Sequence, residues 1–294
     1  MANPKVSVML PFYDDGTADV REKFSEALSS ILSQKLKDFE IVLVVSGMKE
    51  FAQAQSKRSG KIRLFFFEQE RRDYRKIPLK EKAKGIVTAW NLCIENSKGE
   101  YLAFHAYDDI SLPERLGEEV AYLDAHLDVG AVGSIMTMID SQGKEIGVKG
   151  GFEGDAEIRR NMVRFNPVPA PSLMARAEIV RSAGAFRLDE IPEDYDLWVR
   201  MAKIAKFHTL QKPLVKYRVH DGGGASIYRF PLYFGSLRVK MRAAKLLGIG
   251  IGPKDIAVNA LQFASLFIPN GIRRGALEDI RGSFLIGRQQ KGDD

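Results

Sequence analysis

Two carboxylates stand side by side at Asp108 and Asp109, in the stretch FHAYDDISLPERL that spans residues 104–116. Adjacent acids repel each other, and such a pair suits a hard divalent cation, Mg2+ or Mn2+, which in turn suits a diphosphate. The same residues also suit a helix start, with acids favouring the dipole and Ser111 as the cap. The local residues leave both readings open. Glu193, Asp194 and Asp196 place three acids within four residues of IPEDYDLWVRMAKIAKFHTL. Acids are ordinary in the first turn of a helix, but three of them beside Trp198 exceed what a cap requires. His220 closes the strand-like LVKYRVH ahead of three glycines. A lone histidine there is accounted for by a local hydrogen bond.

These groups act together only if the fold collects them. KVSVML (5–10) predicts a strand ending at Pro11, and REKFSEALSSILSQ a helix with Phe24, Leu28, Ile31 and Leu32 on one face. FEIVLVV (39–45), apolar but for Glu40, reads as a strand buried on both faces. IRLFFFEQ (62–69), KGIVTAWNLCIENS (84–97) and GEYLAFHA (99–106) add a strand, a helix and a strand. That alternation predicts an α/β domain on a mostly parallel, Rossmann-like sheet. Asp108 and Asp109 then lie beyond the C-terminal end of a strand, where open α/β sheets bind ligands. PFYDDG (11–16) opens on the same edge. Further on the rhythm breaks. AVGSIMTMIDSQGKEIG predicts two strands around a turn, and the helix after IPE carries Leu197, Met201 and Ile204 as its apolar stripe.

Composition narrows the classes. A chain of 294 residues, 45% hydrophobic and 28% charged, has room for a sizeable core. Its one cysteine, Cys93, excludes an intrachain disulfide, fits a reducing cytoplasm, and reads as a buried structural thiol. No apolar run reaches the ~18 residues of a membrane span, and the N-terminus lacks signal-peptide anatomy. The net charge of +6 belongs to the tail: from Arg229 onward there are 11 Lys or Arg against 5 Asp or Glu. The remainder is neutral, and with no recognition motif nucleic-acid binding is not expected.

Taken in order, VSVMLPFYDD, ALSSILSQKLKDFEIVLVV, KGIVTAWNLCIENSKGEYLAFHAYDDISLPERL, VPAPSLMARAEIVRSAGAFR, PEDYDLWVRMAK and LVKYRVH resemble the large family 2 of inverting, nucleotide-sugar-dependent glycosyltransferases. The resemblance runs from about Val6 to Ser226 and implies the GT-A fold. It implies that Asp108 and Asp109 hold Mn2+ or Mg2+, one ligating the cation and the other touching its shell or the ribose, and that His220 completes the metal shell. It implies that Asp194 is the catalytic base, that Tyr13 packs on the nucleobase beside Pro11, and that Gly85 and Asn91 belong to a helix lining the nucleotide site. Glu193 and Trp198 are the remaining candidates for acceptor or sugar contacts.

Two departures are visible. Many relatives carry an acid where this chain has Ala106, and an acidic turn after the second strand where it has Ser46 and Gly47. A UDP-sugar is favoured over dTDP- or GDP-sugars, with a saccharide or lipid-linked saccharide of surface-polysaccharide assembly as acceptor. A noncatalytic nucleotide-sugar binder is the alternative. A sugar-nucleotide pyrophosphorylase is a weaker one, since it needs a basic glycine-rich loop where PFYDDG is acidic.

Two segments fall outside the resemblance. EQERRDYRKIPLKEKAKG (68–85), with seven basic residues and four acids, reads as a solvated surface or as a loop meeting a diphosphate or anionic acceptor. The second is the tail. The expected division is a GT-A catalytic domain over 1–226 and a basic amphipathic helical extension over 227–294. Between Ile256 and Ile268 the polar interruptions are Asn259, Gln262 and Ser265, three apart on one helical face, with Pro269, Arg273 and Arg274 following. Such a helix lies in a lipid headgroup region, or packs on the catalytic domain or a second subunit. The first reading places the protein at the inner face of the membrane.

Overall fold

The computed structural model of the chain describes residues 3–68, 79–219 and 228–268, with the apolar runs joined in one nine-stranded sheet. Its first half consists of β1 (Val6–Asp14), β2 (Phe39–Gly47), β3 (Ile62–Phe66) and β4 (Tyr101–Phe104), ordered β3-β2-β1-β4 and parallel throughout. Successive side chains of a strand point to opposite faces, and both faces here are covered. Val8, Leu10 and Ile41 pack with Phe24, Leu28 and Ile31 of α1 (Ala18–Leu32), while Met9, Val42 and Val44 pack with Val87, Trp90 and Ile94 of α3 (Leu79–Asn96). Two-sided burial is why β2 is apolar without a break from Ile41 to Val45, and its one charged residue, Glu40, is buried and paired with Arg63. A short α2 (Lys49–Ser56) lies between β2 and β3. Cys93 is buried in this layer, and its thiol donates to the Val42 carbonyl.

β1 does not stop at Pro11, as the sequence suggests, but continues to Asp14 with Pro11 opposite Val44. β4 pairs with β1 only as far as Met9, whose carbonyl accepts from the His105 N–H. Pro11 presents its missing N–H on the side β4 has already left, so no ladder bond is lost.

The second half contains β5 (Ile110–Ser111), α4 (Arg115–Ala125), β6 (Val129–Ile139), β7 (Glu145–Lys149), α5 (Asp155–Asn161), β8 (Met174–Arg176), α6 (Ala177–Ser182), α7 (Glu193–Ala202) and β9 (Lys206–Arg218). The short β8 is antiparallel to both β4 and β6 and joins the two halves. β6 then pairs parallel with β9, β5 closes the edge against β9, and β7 hairpins onto β6. In α7 Leu197 and Met201 are buried as expected, but Ile204 lies past the helix end and is exposed.

Two helices follow, α8 (Arg229–Leu247) and α9 (Pro253–Ser265). Val239 and Ala243 of α8 enter the same core as Trp198 and Phe186. His220, most of the basic stretch from Glu68 to Gly85, and Pro269, Arg273 and Arg274 lie outside the described residues.

Candidate active site

Asp108 and Asp109 do not cap a helix. They sit between β4 and β5, α4 starts only at Arg115, and its N-cap residue Glu114 makes no side-chain capping bond. The Ser111 hydroxyl instead accepts from the Arg115 Nη1 at 3.0 Å. The two acids part company in their surroundings. Asp108 is half-buried, whereas Asp109 is buried, and its Oδ1 accepts the backbone N–H of Arg218 at 2.8 Å. The Asp109 Oδ2 is buried with no hydrogen-bond partner among the described residues. Burial, and then the charge of Asp108, hold the Asp109 carboxyl well above the usual range. Asp109 therefore ties the loop to β9, and Asp108 is the acid of the pair that faces outward.

Two arginines build that loop. Arg218, at the end of β9, donates through Nε to the Asp108 carbonyl at 3.0 Å and through Nη1 to the carbonyls of Asp140 and Ser141. Its Nη2 meets the Glu26 carboxylate of α1. Arg115, fully buried in α4, donates to Glu119 and to the Phe104 carbonyl, each at 3.0 Å. One side chain thus pins the end of β4 and the other the backbone of Asp108. Neither appears among the sequence candidates. Arg218 lies within the YRVH motif, but nothing in its spacing reveals bonds to residues 77 to 192 positions away.

His105, just before the loop, is fully buried with both ring nitrogens unpartnered among the described residues. Burial and the Arg115 charge push its pKa well down, so its imidazole is neutral.

The second acidic group lies at the start of α7. Asp194 Oδ1 accepts its neighbour's Tyr195 N–H at 2.7 Å, and Oδ2 accepts from the Asn166 amide at 2.9 Å. Glu193 and Asp194 retain some exposure but are walled by protein. Burial raises both, Glu193 to about 7 with repulsion from Asp194 as the second cause. Asp196, in contrast, is fully buried and paired with Arg200 and Arg242. That leaves Asp194 and Glu193 as the acids of the turn with no arginine pairing among the described residues.

Lys149, the last residue of β7, relates the two groups. Its positive charge lowers the pKa of both Asp109 and Asp194, and its ammonium lies 4.3 Å from the centre of the Tyr217 ring. The hairpin that carries it has an exposed strand with no sequence feature that marks a site.

Of the remaining candidates, Pro11 and Tyr13 are half-buried at the C-terminal end of β1 and Gly85 half-buried on α3. Beside them Asp14 is buried and bound by the Arg21 guanidinium at 3.0 Å. Gly47 closes β2 at φ +94°, with the Asp14 carbonyl where a Cβ would stand. Two candidates need correction. Asn91 is occupied: its amide donates to the Phe186 carbonyl at 2.9 Å and accepts the Phe186 N–H at 3.0 Å, so it holds α3 to the segment before α7. Trp198 is fully buried, donates to the Val168 carbonyl at 3.1 Å and packs edge-on against Phe104. It is core, not a sugar contact, because the inward face of α7 meets the end of β4.

Comparison with known proteins gives consistent answers. The family model described as Glycosyl transferase family 2 matches residues 7–170. An uncharacterized glycosyltransferase of Methanocaldococcus jannaschii, MJ1057, is 28% identical over 74% of this chain and 72% of its own length. The amylovoran biosynthesis glycosyltransferase AmsE of Erwinia amylovora is 28% identical over 67% of this chain and 70% of its own. Among solved structures, S. aureus TarS 1-349 in complex with UDP-GlcNAc superimposes with a TM-score of 0.61 at 17% identity, covering 95% of this chain and 80% of that one. In its longer form this chain spans 42% of TarS. The mannosyltransferase PcManGT from Pyrobaculum calidifontis, in complex with GDP-Man and Mn2+, superimposes at 0.52 with 16% identity, over 97% of this chain and 86% of that one. Identities this low establish the fold alone.

Proposed function

The chain belongs to glycosyl transferase family 2 and is a glycosyltransferase, and from that premise we propose an inverting, metal-assisted transfer from a nucleoside-diphosphate sugar, with a UDP-sugar as first choice, to a saccharide or lipid-linked saccharide hydroxyl of polysaccharide assembly. The observation that carries the reading is that α7, which bears Asp194 in its first turn, packs through Trp198 on Phe104 at the end of β4, the strand that leads into the Asp108 loop.

The residues fit a divalent cation taken up together with a nucleotide. No cluster of three metal-ligating side chains exists among the described residues. Mg2+ and Mn2+ sites of this kind use one or two carboxylates and complete the shell with substrate phosphates. Asp108 would hold the cation, and the Asp109 Oδ2, buried with no hydrogen-bond partner among the described residues, would be the second carboxylate oxygen available to it. His220 enters only through its place in the motif. When bound, the cation neutralises charge on the departing diphosphate.

The chain's own residues do the rest. Asp194, oriented by Asn166, takes the proton from the acceptor hydroxyl as that oxygen attacks the anomeric carbon. Attack from the face opposite the leaving diphosphate inverts configuration. Tyr13 and Pro11, at the end of β1, are the proposed platform for the base. Residues 1–226 are the proposed catalytic part, and 227–294 an extension beyond the chemistry.

The test is a panel of UDP-, dTDP- and GDP-sugars, read by release of nucleoside diphosphate with and without Mn2+, on wild type, Asp108→Asn and Asp194→Asn. Asp108→Asn should lose the Mn2+-dependent tightening of nucleotide binding in calorimetry. Asp194→Asn should keep it while turnover falls roughly 10²–10⁴-fold. An Asp194→Asn protein of near-normal turnover would transfer the base role to Glu193.

A further inference from the structure

The last described helices are amphipathic in the inverse sense. In α9 the polar residues face inward: Asn259 donates to the Val163 carbonyl at 3.2 Å and Gln262 to the Arg164 carbonyl at 2.9 Å. Lys240 of α8 donates to both of their side-chain oxygens, at 2.7 and 2.6 Å. Asp255, fully buried, is held by Arg160 and Arg164. The helix is thus docked through its polar stripe, which sends its apolar face outward. Ile256 is 63% exposed and Phe267 68%.

The same face continues across α8. Phe230, Phe234, Arg238, Met241 and Lys245 recur at spacings of three and four and are all exposed, so they form one stripe. Ring contacts join the two helices: Phe230 with Phe267 at 5.7 Å and Phe234 with Phe263 at 6.4 Å. Between the helices a cleft of about 310 Å3 has Val163 and Leu237 in its wall and the exposed Met241, Ile251 and Ile256 among its lining. A contiguous exposed apolar patch of this kind marks an interaction site rather than ordinary surface.

Its charge says what covers it. From 229 to 268 the only acid is Asp255, which is spent on the arginines, and Arg242 is spent on Glu190 and Asp196. The exposed charges on the two helices, Arg238, Lys245 and Lys254, are all positive. A two-fold pairing of identical faces would set this basic stripe against its own copy with no acid to answer it. Aromatic and aliphatic residues interleaved with lysine and arginine on a helical face are the pattern of a surface that enters the headgroup region of an anionic membrane. No helix among the described residues is long and apolar enough to cross one.

We propose that the outward face of α8 and α9 docks on an anionic lipid bilayer, with Phe230, Phe234, Phe263 and Phe267 entering the acyl boundary and Arg238, Lys245 and Lys254 at the phosphates. This is independent of the donor chemistry, since the face contains none of the proposed catalytic residues.

The full chain should sediment with phosphatidylglycerol-containing vesicles and weakly or not at all with pure phosphatidylcholine. High salt should weaken the binding without abolishing it. Phe234→Ser with Phe267→Ser should reduce partitioning roughly a hundredfold, from the apolar area withdrawn. Arg238→Gln and Lys254→Gln should each reduce it roughly fivefold. All four side chains are exposed enough that melting temperature and donor hydrolysis should hold. A well-folded full chain that ignores both vesicle types overturns the proposal. So does equal binding by the phenylalanine variants, or a dimer in solution that those variants split into monomers.

Discussion

A carboxylate acts as a base only when it is ionised, so if Asp194 is the base proposed above, its environment sets the pH at which the enzyme works. Burial pushes Asp194 up and Glu193 to about 7, while the Asn166 amide and the Lys149 charge favour the ionised form of Asp194. The acid limb of kcat/KM should therefore belong to the pair and lie above the usual carboxylate range of about 4. Asn166→Ala withdraws a hydrogen bond from the charged form, and Lys149→Gln withdraws a nearby positive charge. Each should raise the pair's apparent pKa and move the acid limb to higher pH. A pH–rate profile for each variant checks this, and an unmoved limb would separate Asp194 from the rate-limiting proton transfer. The acids themselves were legible in the chain, because clustered carboxylates without local counter-charges are conspicuous. Lys149 was not legible as part of a site, nor Asn166 as the partner of Asp194. Their roles arise where the β6–β7 hairpin and the stretch before β8 meet α7, and no local pattern encodes that meeting.

The Asp108 loop depends on elements more than on its own residues. Arg115 and Glu119 form a fully buried pair within α4, and Arg115 also grips the end of β4. Burial nonetheless dominates at Glu119 and raises it to about 7 despite the adjacent guanidinium. A carboxyl whose folded pKa exceeds its unfolded value binds more protons in the folded state over that window. Its contribution to stability is thus full below about 4.5 and is lost as pH rises toward about 7. Glu119→Gln should remove that component of the slope, read as unfolding free energy against pH in a denaturant series. An identical slope in the variant would mean that other groups carry it. Strand and helix identities were readable because two-sided burial makes β2 apolar throughout its centre, Ile41 to Val45, and the period of α1 is clean. Boundaries were less so. Pro11 suggested an end to β1 that the early departure of β4 made unnecessary. Trp198 looked like a site residue because it neighbours Asp194 in sequence, but it lies one turn further along the same side of α7, where it is fully buried against Phe104 at the end of β4.

Helices α8 and α9 are joined to the proposed base, Asp194, through the α7 end of the molecule. Arg242 of α8 pairs with Glu190 and Asp196, on either side of Asp194 in sequence. Gly235 of α8 lies so close to the chain before α7 that a Cβ would stand 1.9 Å from the Ile191 carbonyl oxygen. That distance is far inside van der Waals contact, and both partners are backbone, so relief requires α8 or the Ile191–Asp194 segment to move. The Asp108 loop is held separately, by Arg218 and Arg115, from β9 and α4. Gly235→Ala should consequently lower the melting temperature and reduce kcat while leaving Mn2+-dependent nucleotide affinity close to wild type. A misplaced base lowers the transition-state interaction without loosening the donor. Gly117→Ala is the matching control. It sits in α4 with no atom within 4 Å of an added Cβ, and should be neutral or mildly stabilising, by up to about 1 kcal/mol. If Gly235→Ala instead weakened nucleotide binding as much as turnover, the terminal helices would support the whole cleft rather than its base. Unchanged kcat with a lowered melting temperature would make the contact purely structural. The intermediate outcome, base displaced and donor retained, is the one the separate anchoring of the two acidic groups requires.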